Sequence, residues 1–214
     1  MTAWNKSPRG AGAKSPPASW DPLVRISHWL IAAAVIANGL IVKPGGTIHI
    51  WIGWAVLGLL LLRLAWGLLG PAEARFSTFP PDPRAALSHL VDLVRGRPRE
   101  YPSHNPAGAM MAYALWACLA VVTVTGLVMT EAKSPITIAE EKAAVAAGDW
   151  SVLVGADDSE GDEDLGEVVE EVHEVTANLM LFLALLHVAG VAVESRALRR
   201  NLVRSMIFGR TKNQ

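Results

Sequence analysis

The sequence predicts an all-α fold: an integral-membrane bundle of four helices. Three observations lead there. Of the 214 residues, 51% are hydrophobic and eight are Trp, with a positive mean hydropathy. Four apolar runs reach the roughly 20 residues that a helix needs to cross a bilayer. They lie at about 22–42, 48–69, 107–130 and 168–193. The net charge of −1 conceals a segregation of signs. Residues 131–174 hold fourteen Asp/Glu and two Lys, and the rest of the chain holds seventeen Lys/Arg and six Asp/Glu. Such asymmetry sets topology or makes a docking surface.

In chain order, residues 1–19 are polar and rich in Pro, Gly, Ala and Lys, and are expected to form a disordered cytoplasmic arm. They lack the apolar core and cleavage site of a signal peptide, so the first span is expected to direct insertion. That span opens at WDPLVRISHWL. Asp21 suits a helix cap and Pro22 the first turn. Trp20 and Trp29 fit the aromatic belt near the headgroups. Lys43-Pro44-Gly45-Gly46 ends the helix and turns the chain. The second span begins at once, in IHIWIGWAVLGLLLLRLAWGLLGP. Gly53 and Gly58 there admit either another helix or a flat cofactor close to the backbone. Arg63 is expected to reach the interface along its flexible stem.

Residues 70–106 are a Pro- and Arg-rich connection. Within it, DPRAALSHLVDLVRG reads as an amphipathic helix capped by Asp82, with Pro83 in its first turn. Ala86, Leu87, Leu90, Leu93 and Val94 share a face, so the helix is expected on the membrane surface, with His89 exposed. His104-Asn105-Pro106 turns into the third span. That span holds the one cysteine, Cys118, expected to be a small buried apolar residue. No internal disulfide and no CxxCH haem attachment is possible. Gly126 makes room for a neighbour. In the acidic connection 131–167, AEEKAAVAAGDW suits a short helix and SEGDEDLGE a solvated loop. The chain thus divides into the arm 1–19, a four-helix domain 20–195 and a basic tail 196–214.

Basic residues mark the cytoplasmic side of a membrane protein. The arm, the 70–106 connection and the tail carry nearly all of them, so both termini are expected in the cytoplasm. The acidic connection then faces outward. This orientation sorts four histidines by depth. His28 and His187 each lie about six residues from the cytoplasmic ends of their spans, about 9 Å deep. His49 and His173 open their spans on the outer side. His173 and His187 are fourteen residues apart, close to four turns, so one helix presents both on nearly one face about 21 Å apart.

Two imidazoles from different helices, facing each other at one depth, are what a b-type haem needs as axial ligands. Taken singly, each histidine reads as a core residue. Four at two matched depths are harder to explain that way, because ionisable groups in lipid are rare without a role. Zinc or copper is the rival reading. It is disfavoured by having two histidines per depth and no Cys or carboxylate convincingly beside the inner pair.

Several pieces carry a family resemblance: WDPLVRISHW, IHIWIGWAVLGLLLLRLAWG, the HNPAG turn, VHEVTANLMLFLALLHVAGV and the ending NLVRSMIFGRTK. In these the chain resembles the bacterial cytochrome b561 family, which includes the cytochrome b subunits of nickel–iron hydrogenases and formate dehydrogenases. The resemblance implies a di-haem protein of the bacterial inner membrane, moving electrons between the quinone pool and a redox partner. It is either a free-standing electron carrier or a subunit of a quinone-linked oxidoreductase. His28 and His187 match the cytoplasmic-side ligands, and His49 and His173 the outer-side ones.

Arg25 and Arg63 stand near the inner haem depth, where they would pair with propionates or simply mark the interface. The acidic stretch 131–167, which is not a feature of the family core, would dock a basic periplasmic protein such as a c-type cytochrome, or serve as a solvated linker. The lipid bilayer and quinone are the other expected partners, and no nucleic acid is expected. The alternative from another class is a membrane anchor for a periplasmic enzyme, carrying no redox centre.

Overall fold

The computed structural model describes residues 21–97, 99, 101, 104–153 and 160–208. The arm 1–19, Trp20 and the last residues of the tail lie outside the described residues. Every described element is helical.

Helix α1, Pro22–Ile36, starts where its cap requires: the Asp21 carboxylate accepts from the backbone N–H groups of Leu23 and Val24. It runs on through a π-helical turn, Ala37–Ile41. There Gly39 packs against Leu181, whose side chain would have to shift for a Cβ, since the Cβ would stand 2.9 Å from Leu181 Cδ2. Gly45, at φ +66°, turns the chain into α2, Thr47–Leu69. Two short 3₁₀ turns, Ala72–Ala74 and Phe76–Thr78, follow α2. Phe76 lies against Gly67, where a Cβ would come within 2.2 Å of its ring.

Helix α3, Pro83–Val94, is capped by Asp82 as expected. Its docking is reversed from a core-facing amphipathic helix. Ala86 and His89 are buried against the bundle, while Leu87, Leu90 and Val94 are exposed. The expectation that His89 is exposed is therefore corrected: it is 2% exposed. The rest of the apolar stripe is exposed, and the edge bearing Ala86 and His89 packs on α4, Pro106–Met129. Asn105 caps α4 by accepting from Gly108 N–H.

Helix α5, Pro135–Ala146, is capped by Ser134 and packs against α2. Helix α6, Glu160–Ala197, is 38 residues long. The expectation of a solvated loop up to Glu167 is corrected here, since this acidic stretch is the first part of α6. Carboxylates in the opening turns of a helix are favoured by its macrodipole, and the apolar span below supplies the nucleus. The short helix α7, Leu202–Phe208, ends the described chain.

Four helical stretches are long and apolar enough to cross a membrane: Pro22–Ile41, Thr47–Leu69, Pro106–Met129 and Asp164–Ala197. The tightest pairing is α4 with α6; α6 makes little backbone contact with α1 or α2 outside the π-helical turn. A compact core of Val56, Leu60, Cys118, Leu119 and Met180 joins α2, α4 and α6 at mid-height.

Candidate functional site

The bundle has two polar levels separated by that apolar core. Helix α6 carries His173, Met180 and His187 at intervals of seven residues, hence on one face. Met180, midway, is buried in the core. Helix α2 repeats the pattern, with His49 and Arg63 also fourteen residues apart. Helix α1 contributes His28 at the Arg63 end.

At one level the rings of His28 and His187 face each other, their centres 6.3 Å apart and their planes tilted by 57°. At the other, His49 and His173 stand 6.2 Å apart and tilted by 58°. Both pairs thus show the same geometry on different helices. Rings joined by a direct hydrogen bond of about 3 Å would have centres roughly 5.2 Å apart. An imidazole nitrogen bonds a metal ion at about 2.0–2.1 Å, placing the ion roughly 3.1–3.2 Å from the ring centre. Two rings on opposite sides of one ion are then about 6.2–6.4 Å apart, whereas two ligands of a tetrahedral ion are about 5.1–5.2 Å apart. Both pairs are spaced more widely than a direct hydrogen bond or a tetrahedral ion would set them. Among the described residues no third His, Cys, Asp or Glu joins either pair to make a metal cluster.

The ring orientations are held unequally. Thr125 on α4 lies 2.9 Å from His173 Nδ1. The Thr125 hydroxyl is also within reach of its own helix, at Val121 O, 2.8 Å away. Gly126 completes the seat, because a Cβ would stand 3.2 Å from His173 Cε1. Thr125 was not singled out from the sequence; the available signal was a hydroxyl one turn from the end of a span, at the His173 depth. At His28 and His49, Nδ1 is buried with no hydrogen-bond partner among the described residues. Asn38, on the π-helical turn, donates to His49 O at 3.1 Å and ties α1 to α2 at this level.

Open space borders α2 beside His49. A Cβ at Gly53, one turn from His49, would meet no atom within 4 Å, nor would one at Gly58. Of the two expected uses of these glycines, close approach of another helix is therefore not seen among the described residues.

The arginines differ from a snorkelling picture. Arg63 is 6% exposed, donates to Ala74 O at 3.3 Å, and holds its guanidinium 5.5 Å from the Phe76 ring centre and 5.2 Å from that of Trp116. The expectation that it reaches the interface is corrected, because the aromatic cage after α2 folds over it. Arg25 points the other way. Its Nε donates to Met206 O at 3.3 Å and its Nη2 to Ile207 O, capping α7 together with Trp29 Nε1, which donates to Met206 O at 3.2 Å.

His104, just before α4, stacks on Phe79 with ring centres 4.5 Å apart. Burial pushes its pKa down to about 4, with the positive Arg63 and then His187 and His28 adding to the shift, so these four side chains form one neighbourhood. Beneath α3, Asn105 Nδ2 donates to the Glu194 carboxylate. His89 Nε2 is 3.7 Å from the same carboxylate, too long for a hydrogen bond. Burial lowers the His89 pKa, Asp92 opposing and Arg99 adding.

A family model described as prokaryotic cytochrome b561 matches residues 19–209. No curated protein and no solved structure matches the chain.

Proposed function

The chain belongs to the prokaryotic cytochrome b561 family, a family of membrane b-type cytochromes that carry electrons, and from that premise we propose that it holds two haems. His28 and His187 would be the axial ligands of one, and His49 and His173 of the other. The observation that carries this reading is the ring spacing of 6.3 and 6.2 Å in the two pairs. It supports one ion between trans imidazoles at each level and disfavours tetrahedral zinc. Gly53 would let a flat macrocycle lie against α2. A haem held by two histidines supplies one-electron chemistry and leaves no open iron position for a substrate.

The remaining roles fall to other side chains. Arg63 would neutralise propionates at the His28/His187 level, where its cage holds it out of water. Arg25, with Nε and Nη2 given to α7, is the weaker candidate. Thr125 would orient His173. Val56, Leu60, Leu119 and Met180 would exclude water between the levels. Electrons would pass between the quinone pool and a periplasmic redox protein, across a bacterial inner membrane with both termini cytoplasmic. The exposed acids of α6, Asp164, Glu167, Glu171 and Glu174, stand at the His49/His173 end, where a basic partner would be attracted.

The test is His187→Ala, read by reduced-minus-oxidised spectra and haem-to-protein ratio in purified protein. One haem of two should be lost. Retention of both would overturn the ligand assignment.

A further inference from the structure

The histidine row of α6 has one more polar member. His173, Met180, His187 and Glu194 follow at steps of seven residues, hence on one face. Glu194 stands two turns beyond His187, roughly 11 Å along the helix. It meets α3 and the turn into α4. Asn105 donates from Nδ2 to Glu194 Oε2. Oε1 faces His89 Nε2 at 3.7 Å. A carboxylate can accept at both oxygens, so a single donor on Oε2 leaves Oε1 open to carry a proton.

His89 is suited to deliver that proton. The Tyr101 ring stands edge-on to it, with centres 5.3 Å apart. Its Nδ1 is buried with no hydrogen-bond partner among the described residues. An imidazole that faces a carboxylate with one nitrogen and keeps the other unspent can pass a proton between them. Adhesion does not explain the arrangement. Apolar contacts hold a helix at least as well as a buried charged pair, and α3 has Leu87 and Leu90 to offer, yet it turns His89 inward. The surrounding groups leave the pair the main titrating centre. Asp92 on α3 is paired with Arg99 at 3.0 Å, and Arg99 is largely exposed, so this pair reaches water. His104, with a pKa of about 4, is neutral at pH 7 and lies beside Arg63.

We propose that Glu194 and His89 form one protonation site, which takes up a proton from water at the arginine-rich end when an electron enters the His28/His187 level. This rests on the two-haem reading, and the electron comes from the quinol or redox protein of that reading. One electron lowers the charge between His28 and His187 by one. One proton, bound to Oε1 or to the imidazole, takes the pair from one negative charge to none, so the net charge of this end of the bundle is unchanged. At roughly 11 Å and an effective dielectric constant of about 20, a unit of charge alters proton affinity about tenfold. The sign follows from linkage: reduction strengthens proton binding, so the reduction potential at this level falls as pH rises. The His49/His173 level lies about 21 Å further along α6 and is affected little.

The test is a spectroscopic redox titration of the full chain in lipid nanodiscs at a series of pH values. The haem to follow is the one that His187→Ala removes. Its midpoint should fall by about 59 mV in all as the pair loses its proton, the one-electron equivalent of tenfold. Glu194→Gln should flatten that fall and Glu194→Asp should restore it. His89→Gln should keep the fall but move it to another pH, because the apparent pKa belongs to the pair; a merely structural histidine would leave it in place. This second variant decides the matter even where Glu194→Gln fails to fold. Two haems with a flat midpoint in the unaltered protein, a fall that survives Glu194→Gln, or one that His89→Gln leaves at the same pH would each overturn the proposal while the haem reading stands. A protein without haem would instead overturn that reading, and the proposal with it.

Discussion

At the scale of single residues, the two histidine pairs are alike in spacing but not in support. His173 Nδ1 lies 2.9 Å from the hydroxyl of Thr125, which is also hydrogen-bonded to the α4 backbone. Loss of such an outer partner costs a metal site about 10–100-fold in affinity. If the proposed ligand pairs hold, Thr125→Val should therefore weaken retention of the haem proposed at His49/His173 by that factor and spare the one proposed at His28/His187, and Thr125→Ser should restore it. Haem loss on dilution in detergent, followed by absorbance, decides the point; equal retention in the Val variant would deny Thr125 an orienting role. The histidines were legible because depth follows from counting residues along helices. Thr125 was not, since a threonine in a span commonly bonds its own helix. Nor was the burial of Arg63, because a four-atom stem reaches water as readily as it folds under Phe76 and Trp116.

At the scale of elements, the span limits could be read to within a residue or two for the first three spans, because lipid demands an apolar run of set length and Pro, Asp and Asn mark the starts. The side on which a helix docks could not. Helix α3 has a clear apolar stripe, yet it packs on α4 through Ala86 and His89. Periodicity reports that two faces differ, not which faces the bundle when a membrane competes for the apolar one. The extent of α6 was missed for a related reason: a run of acids carries no hydropathy signal for helix. Helix α7 is short, and seven residues are too few to be stable alone. Its last carbonyls are bonded by Arg25 and Trp29. A hydrogen bond to a charged group contributes about 1.5–3 kcal/mol. Arg25→Ala should therefore speed amide exchange across 202–208 by about tenfold or more. Unchanged exchange would show that α7 is held by other contacts.

At the scale of the whole molecule, contacts define two ends of the bundle. Arg25 with α7, Asp21 with Trp66 and Asn105 with Glu194 belong to one, and Asn38 with His49 and Lys142 with Gly45 to the other. The first is rich in arginine and is expected in the cytoplasm. In a Cys118→Ala background, Ser134→Cys should react with an impermeant maleimide added outside spheroplasts, and Ser88→Cys only after permeabilisation. The reverse pattern would invert the topology. A single uninterrupted helix carries both His173 and His187. A bilayer thickens, thins and bends with its lipids, but hydrogen-bonded turns of a rod do not stretch with it. The rod is a built-in gauge: deformation of the surrounding lipid shifts both imidazoles against the headgroups together, while the distance between their levels stays the same.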